Sequence, residues 1–344
     1  MKYRIFPLLI CLALSLSGCG RQEEEVTRQF FSMDTVMTIT AYGPNGEEAV
    51  QAAQEAVNRL DGLLSRTDPD SQISQLNAHA GDGTQVTLDG DVAELLSFAK
   101  EVSQLLPGDF DITIAPVMDA WGFTTEERHV PAREELSAAL ALVDSAQLEV
   151  DEDAPSARLL QAGMEVDLGA VAKGFAAGEA EEAIRAAGVE RATIDLGGNV
   201  TVIGPRPDGN PWRIAVKDPQ NTDSYLCVLS LEDVTLSTSG GYERYFEEDG
   251  VRYHHIIDPK IGRPADSGLL SVTVVTASHV LADALSTALF VAGEEDALDF
   301  WRSRDDIELV LCTDDGRIVV TEGLEDSFQL YDEDGGYTYE IARR

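Results

Sequence analysis

Two periodicities alternate along the chain. Apolar residues fall three or four apart from Ala49 to Leu64, where Val50, Ala53, Val57, Leu60 and Leu64 make one stripe, and Val92 to Leu105 repeats the pattern. Both stretches predict amphipathic helices. Leu136 to Val143 predicts a third, shorter helix ahead of the polar run Asp151-Glu152-Asp153. A fourth, rich in Ala and Glu, runs from Val171 to Ala187 and stops at Gly188, and a fifth spans Leu281 to Val291. Strand composition marks Val36 to Tyr42, closed by the turn Gly43-Pro44-Asn45-Gly46. Thr193 to Leu196 and Val200 to Ile203 flank Gly197-Gly198-Asn199 as a hairpin. Trp212 to Val216, Leu226 to Leu231 and Leu269 to Val275 continue the strands, and Ile307 to Cys312 with Arg317 to Thr321 predict a late hairpin about Asp314-Asp315-Gly316. No repeat, low-complexity block or Pro/Ser-rich linker divides the chain. The reading is α+β, a single domain from about residue 30 to 330 with mainly antiparallel sheets and packed helices, followed by a tail over 331–344.

The first residues obey a different pattern. Lys2 and Arg4 precede the apolar run Ile5 to Leu16, which is too short to span a bilayer, and Leu16-Ser17-Gly18-Cys19 follows. This resembles a bacterial lipobox, in which residues 1–18 are removed and the Cys19 thiol carries diacylglycerol. An ordinary secretory signal or a retained anchor is the alternative, and the polar stretch behind Cys19 favours the lipoprotein. Residues 19–29 then read as a charged tether. The expected location is the extracytoplasmic face of the cell membrane, held by acyl chains, palmitate among them.

Of 344 residues, 44% are apolar and 7% aromatic, enough for a substantial core. The formal charge is −37, more negative still once Lys2 and Arg4 leave with the signal. Such a chain repels nucleic acid and anionic headgroups, so an anionic substrate needs local help, most simply from a divalent cation. With Cys11 in the signal and Cys19 lipidated, Cys227 and Cys312 remain. Two buried thiols are the expected state, a disulfide the alternative.

Four constellations carry candidate chemistry. Val166-Asp167-Leu168-Gly169-Ala170-Val171-Ala172-Lys173-Gly174 leads a short strand into a helix, whose free amides suit a phosphate. Lys173 in the first helical turn is electrostatically misplaced unless an anion binds nearby, or unless its stem merely covers apolar surface. On a helix, Asp283, Ser286 and Thr287 present a carboxylate and two hydroxyls to one side, hard ligands of the kind Mg²⁺ takes; an isolated Asp there could equally cap or face solvent. In His254-His255-Ile256-Ile257-Asp258-Pro259, strand alternation sends His254 and His255 to opposite faces. A histidine beside a phosphate is a candidate general base, titrating near the reference value of about 6.5. Gly108-Asp109-Phe110-Asp111 leads on to Trp121-Gly122-Phe123, an acidic loop and aromatic pair that suit either a flat heteroaromatic ligand or an acidic turn beside a core Trp.

Taken in order with Met33-Asp34-Thr35, Ser71-Gln72-Ile73, Asn77, Asp195-Leu196-Gly197-Gly198-Asn199 and Ser239-Gly240, these motifs resemble the ApbE family of FAD:protein FMN transferases over about residues 31–292. The resemblance implies a T-fold-related architecture. It implies that FAD is the substrate, cut at its pyrophosphate, with FMN passed to a Thr or Ser hydroxyl on a target flavoprotein subunit of a membrane electron-transport complex and AMP released. It places Met33, Asp109, Phe110, Asp111, Asp167, Lys173 and Ile257 on FAD. It places Mg²⁺ on the carbonyl of Ala170 with Asp283, Ser286 and Thr287, and gives His255 the base's role, with Asp258 as the orienting residue or alternative. Asp34 stands where the family often has Gly, and Thr67 where many members carry an aromatic. An FAD pyrophosphatase or a non-catalytic flavin-binding lipoprotein would use the same site.

Overall fold

The computed structural model describes residues 24–125, 127–331 and 336–344. Nine strands form one sheet whose spatial order follows the chain: β1 Glu25–Ser32, β2 Thr35–Tyr42, β3 Ala192–Asp195, β4 Asn199–Ile203, β5 Val234–Gly240, β6 Leu269–Thr276, β7 Ile307–Thr313, β8 Arg317–Thr321 and β9 Thr338–Ala342. Every neighbouring pair is antiparallel except β8 and β9. The helices are α1 Gly46–Leu64, α2 Gln72–Ala78, α3 Gly90–Leu105, α4 Ala115–Ala120, α5 Arg133–Leu140, α6 Ala172–Ala186, α7 His279–Ala292 and α8 Glu294–Arg302. The helical stripe predicted from Val50 to Leu64 is the buried face of α1.

Strand alternation divides the sheet between two cores. Val274, Leu309, Leu311 and Val319 point to α1, α6 and α7, while Val275, Val310, Cys312, Ile318 and Val320 point to a three-stranded sheet made of Trp212–Lys217, Tyr225–Leu231 and Phe328–Leu330. Cys227 and Cys312 lie in this second core as free thiols, each pushed up to about 12 by burial, which keeps them protonated.

Both ends of the domain extend further than the sequence pattern indicates. A strand occupies the expected tether from Glu25, because β1 pairs with β2 over eight residues from Glu25↔Tyr42 to Ser32↔Thr35. As the sheet edge it interleaves Glu25, Thr27, Arg28 and Gln29 with Val26, Phe30 and Phe31, so it shows no continuous apolar run at its start. The expected tail over 331–344 holds β9, tied in parallel to β8 from Arg317↔Thr338 to Thr321↔Ala342. The signal peptide and Cys19 lie outside the described residues, and no described helix is long and apolar enough to cross a membrane.

Helix α6 lies between α1 and α7, and α7 crosses β5 and β6. The α6–α7 approach is set by Gly174, where a Cβ would stand 2.5 Å from the carbonyl oxygen of His279 and 2.8 Å from the Cα of Val280. His279 Nε2 also meets Glu181 Oε2 across the pair at 2.7 Å. Gly174→Ala should therefore lower stability by about 2–3 kcal/mol in chemical denaturation, the scale of an overpacked site, whereas the open Gly62→Ala in α1 should be neutral or stabilising.

Candidate active site

A cavity of about 670 Å³ opens where the start of α6, the flank of α7, the β1–β2 tip and the Gly197–Gly198 turn converge. Met33, Asp109, Phe110, Asp111, Asp167, Ala170, Lys173, His255, Ile257, Asp283 and Thr287 all line it. Residues read from five separate motifs thus meet in one place.

Helix α6 begins without a side-chain cap of its own at Val171. The amide of Gly174 instead donates to Asp283 Oδ2 of α7 at 2.8 Å. Asp283 is buried, and no described Lys or Arg pairs with it. Lys173, one residue earlier on α6, lines the cavity without a carboxylate partner among the described residues. The helix start therefore presents positive potential and an unpaired cation to the cavity, beside a carboxylate that carries no counter-charge.

Ser286 sits behind that front rather than in it. Its hydroxyl donates to the carbonyl of Asp283 at 2.9 Å and meets Ser239 Oγ at 2.8 Å and Ser237 Oγ at 3.2 Å. Ser239 Oγ reaches Thr287 Oγ1 at 3.1 Å. Thr287 and Asp283 face the cavity while Ser286 braces them: residues three and four along a helix fall about 60° to one side and about 40° to the other of the first, and the serine takes the sheet-facing side.

The two histidines part as alternation predicts, with one revision. Val251–His254 and Ile257–Asp258 are separate short strands, and the chain turns between them at His255. His254 is half-buried edge-on against Phe290, with Nε2 bonded to the carbonyl of Ala265 at 3.1 Å. His255 lines the cavity, and its Nδ1 donates to the carbonyl of Arg244 at 3.1 Å, which leaves Nε2 as the unprotonated nitrogen. Burial, then the Arg244 charge, pushes its pKa down to about 3, with His254 and Lys173 adding to the effect. The expected titration near the ordinary value is therefore corrected: two nearby cations and a low-dielectric setting disfavour the imidazolium.

Asp258 does not line the cavity. Its carboxylate accepts from the amide of Lys260 at 2.7 Å and closes a turn, since alternation from Ile257 points it the other way. Asp109 pairs with Lys260 at 2.7 Å, and Asp111 accepts from Thr113 N at 2.8 Å and Ser145 N at 3.0 Å. These two carboxylates shape the loop and are already satisfied by protein. Phe110 is part of the main core, and Trp121 is fully buried with Nε1 donating to the carbonyl of Gly262, so of the aromatic pair only Phe123 reaches the cavity.

Met33 and Asp34 occupy a two-residue hairpin with φ of 46° and 59°, the left-handed turn that matches strand twist. Asp tolerates that conformation, which explains how it stands in for Gly. Thr67 lines the cavity beside Arg66, a residue without a sequence signal. Arg66 binds Asp119 through both terminal nitrogens at 2.9 and 2.7 Å and Glu165 at 2.9 Å. Arg244 and Asn199 also line the cavity; both adjoin glycine motifs, Ser239-Gly240 and Gly197-Gly198, the one hint that the backbone there approaches something closely.

A helix start with an unpaired lysine, a hard-oxygen cluster and an unprotonated histidine around one deep cleft define a class: an α+β protein built to handle a phosphate-linked nucleotide. The ApbE family model matches residues 33–311, and the chain belongs to the ApbE family. It is 31% identical to the FAD:protein FMN transferase of Haemophilus influenzae, over 90% of this chain and 93% of that protein. It is 32% identical to that of Treponema pallidum, over 94% and 95%. Among solved structures, the ApbE protein of Thermotoga maritima superposes with a TM-score of 0.81 at 32% identity, covering 90% of this chain and all of the other. The flavin transferase ApbE of Vibrio cholerae gives 0.77 at 27%, covering 90% and 97%.

Protonation at the site can be followed directly. In NMR titration the His255 ring should remain neutral down to at least pH 5, and His254 should protonate below its ordinary value, since burial lowers each pKa. The unfolded chain gains these protons near pH 6.5, so stability contributed by the neutral rings is complete above that value and declines as pH falls toward 3.

Proposed function

We propose that the cavity holds FAD with its pyrophosphate at the start of α6, and that the FMN half passes to a Thr or Ser hydroxyl of a target flavoprotein with release of AMP. Transfer of FMN from FAD to protein is the activity named for the relatives, and the arrangement supporting its assignment to these residues is the cluster of Lys173, Asp283 and Thr287 beside His255 in one cavity.

In this reading the amides at the start of α6 and Lys173 bind the pyrophosphate and add fixed positive potential where the AMP oxygen gains charge. His255 Nε2 takes the proton of the incoming hydroxyl as its oxygen bonds to the FMN phosphorus and the pyrophosphate bridge breaks toward AMP. A diphosphate between Lys173 and Arg244 offsets the two cations that depress the imidazole, so the base gains proton affinity once substrate is seated. The donor set of Asp283, Thr287 and the Ala170 carbonyl is all oxygen, and its buried carboxylate lacks a counter-charge, which suits Mg²⁺. Among the described residues no group of three or more His, Cys, Asp or Glu could hold a metal, so a cation here depends on substrate phosphates for much of its shell. Bound Mg²⁺ would supply charge neutralisation and Lewis-acid polarisation at the pyrophosphate.

Asp283 has a second task as the acceptor for the Gly174 amide. Asp283→Asn keeps an acceptor there and removes the charge, and it should lower FMN transfer roughly a hundredfold or more, on the scale of losing one electrostatic stabiliser, with thermal stability retained. Transfer at the native rate with native Mg²⁺ dependence would refute the assignment. AMP release from FAD without an acceptor protein would make the chain a pyrophosphatase, and FAD binding without AMP release a flavin-binding protein.

Anchoring belongs to the same proposal: diacylated Cys19 would keep the enzyme on the extracytoplasmic membrane face, where a membrane-complex subunit would meet it at raised local concentration. Cys19→Ser should move the protein to the soluble fraction while leaving transfer to a soluble acceptor unchanged. Retention on the membrane after correct cleavage would count against lipidation.

A further inference from the structure

Residues 199 and 201 of β4 and 235, 237 and 239 of β5 project from the same face of the sheet, toward the helices. Five polar side chains on a buried face are costly unless each is paired. Four are: Thr201 Oγ1 and Thr235 Oγ1 meet at 2.7 Å, and Ser237 and Ser239 reach Ser286. Asn199 alone has neither Oδ1 nor Nδ2 bonded to any described group, although it is 1% exposed. It lines the cavity.

An orphaned carboxamide offers one acceptor and one donor side by side. A phosphate oxygen satisfies only the donor, whereas a –CO–NH– edge satisfies both in a paired arrangement. The neighbourhood narrows the choice further. The Gly197 Cα stands against Thr35, where a Cβ would come within 2.5 Å of Oγ1, so the β1–β2 tip and Met33 form a corner with Asn199 in the cavity wall. A thioether side chain to cover a flat ring and an amide to read its edge suit a planar heterocycle with a lactam.

We propose that Asn199 is the specificity residue that pairs with the lactam edge of the flavin ring, Oδ1 accepting the ring N–H and Nδ2 donating to the adjacent carbonyl. The inference rests on the reading of the cavity as the FAD site. The free protein carries an unsatisfied amide here, and the flavin relieves it.

The test compares wild type with Asn199→Leu and Asn199→Asp in binding of FMN, FAD and AMP by calorimetry, with the melting temperature of each ligand-free protein. A ligand-reading amide predicts that Leu weakens FMN and FAD at least about tenfold, leaves AMP unchanged and keeps or raises the melting temperature, since an unpaired polar group is removed from the interior. Asp, which keeps the shape but replaces the donor by an acceptor, should weaken flavin as strongly, and FMN methylated at the ring N–H should bind wild type no better than it binds the Leu variant. A fall in ligand-free stability with unchanged flavin affinity, a loss confined to AMP, or a loss confined to Mg²⁺ affinity would overturn the proposal. Should wild type bind FAD and FMN while both variants match it, this inference alone fails; should wild type bind no flavin, the FAD reading of the cavity fails with it.

Discussion

Everything at the site hangs on how closely α6 and α7 approach. A glycine at position 174 lets the backbone of one helix lie against the other, and that contact brings the uncapped amide of Gly174 onto the carboxylate of Asp283. One acidic side chain thereby serves as the cap of a neighbouring helix and as the hard-oxygen face of the cavity. The fixed position of the α6 start follows from it, and so does the direction of Lys173. A wider helix pair would leave the amides, the carboxylate and the lysine as separate surface features rather than one binding wall.

The same economy appears in the charge pattern. The chain is acidic overall, yet Lys173, Arg66 and Arg244 converge on the cleft while the nearby acids are spent on structure. Asp111 holds its own loop, Asp109 is paired with Lys260, and Asp119 holds Arg66. An anionic ligand therefore meets local cations, Lys173 and Arg244, within a cleft and a body that are otherwise acidic, and the external field helps keep other polyanions away.

Much of this was legible beforehand, for identifiable reasons. Helices α1, α3, α6 and α7 announce themselves because their buried residues are apolar at helical spacing, and the ordered motifs located the cleft. Strand β5 escaped notice because its inward positions are Thr235, Ser237 and Ser239 and its outward ones Leu236 and Thr238, which reverses the usual polarity of a core strand. The reversal occurs where the sheet meets the hydroxyls of α7, so the pattern fails at the functional wall. Strand β1 was hidden by edge polarity. Asp258 owed its expected role to the resemblance alone, since alternation along His255-Ile256-Ile257-Asp258 already set it on the face opposite His255. Arg66 had no signal at all and Arg244 only its nearness to a glycine motif, since a cation is ordinary surface until the fold turns it inward.

Strand β1 also acts as a ruler. Its eight residues separate the first described turn of chain from the cavity-side hairpin by about 26 Å. With the lipid on Cys19, the six residues leading to Glu25 can add at most about 20 Å. The mouth of the cleft would then ride no more than some 45 Å from the bilayer surface, with the hairpin at the distal end of a stiff arm. An acceptor loop lying flat on the membrane would be reached only by an enzyme lying on its side; a loop projecting by one small domain's height would meet the cleft with the arm extended.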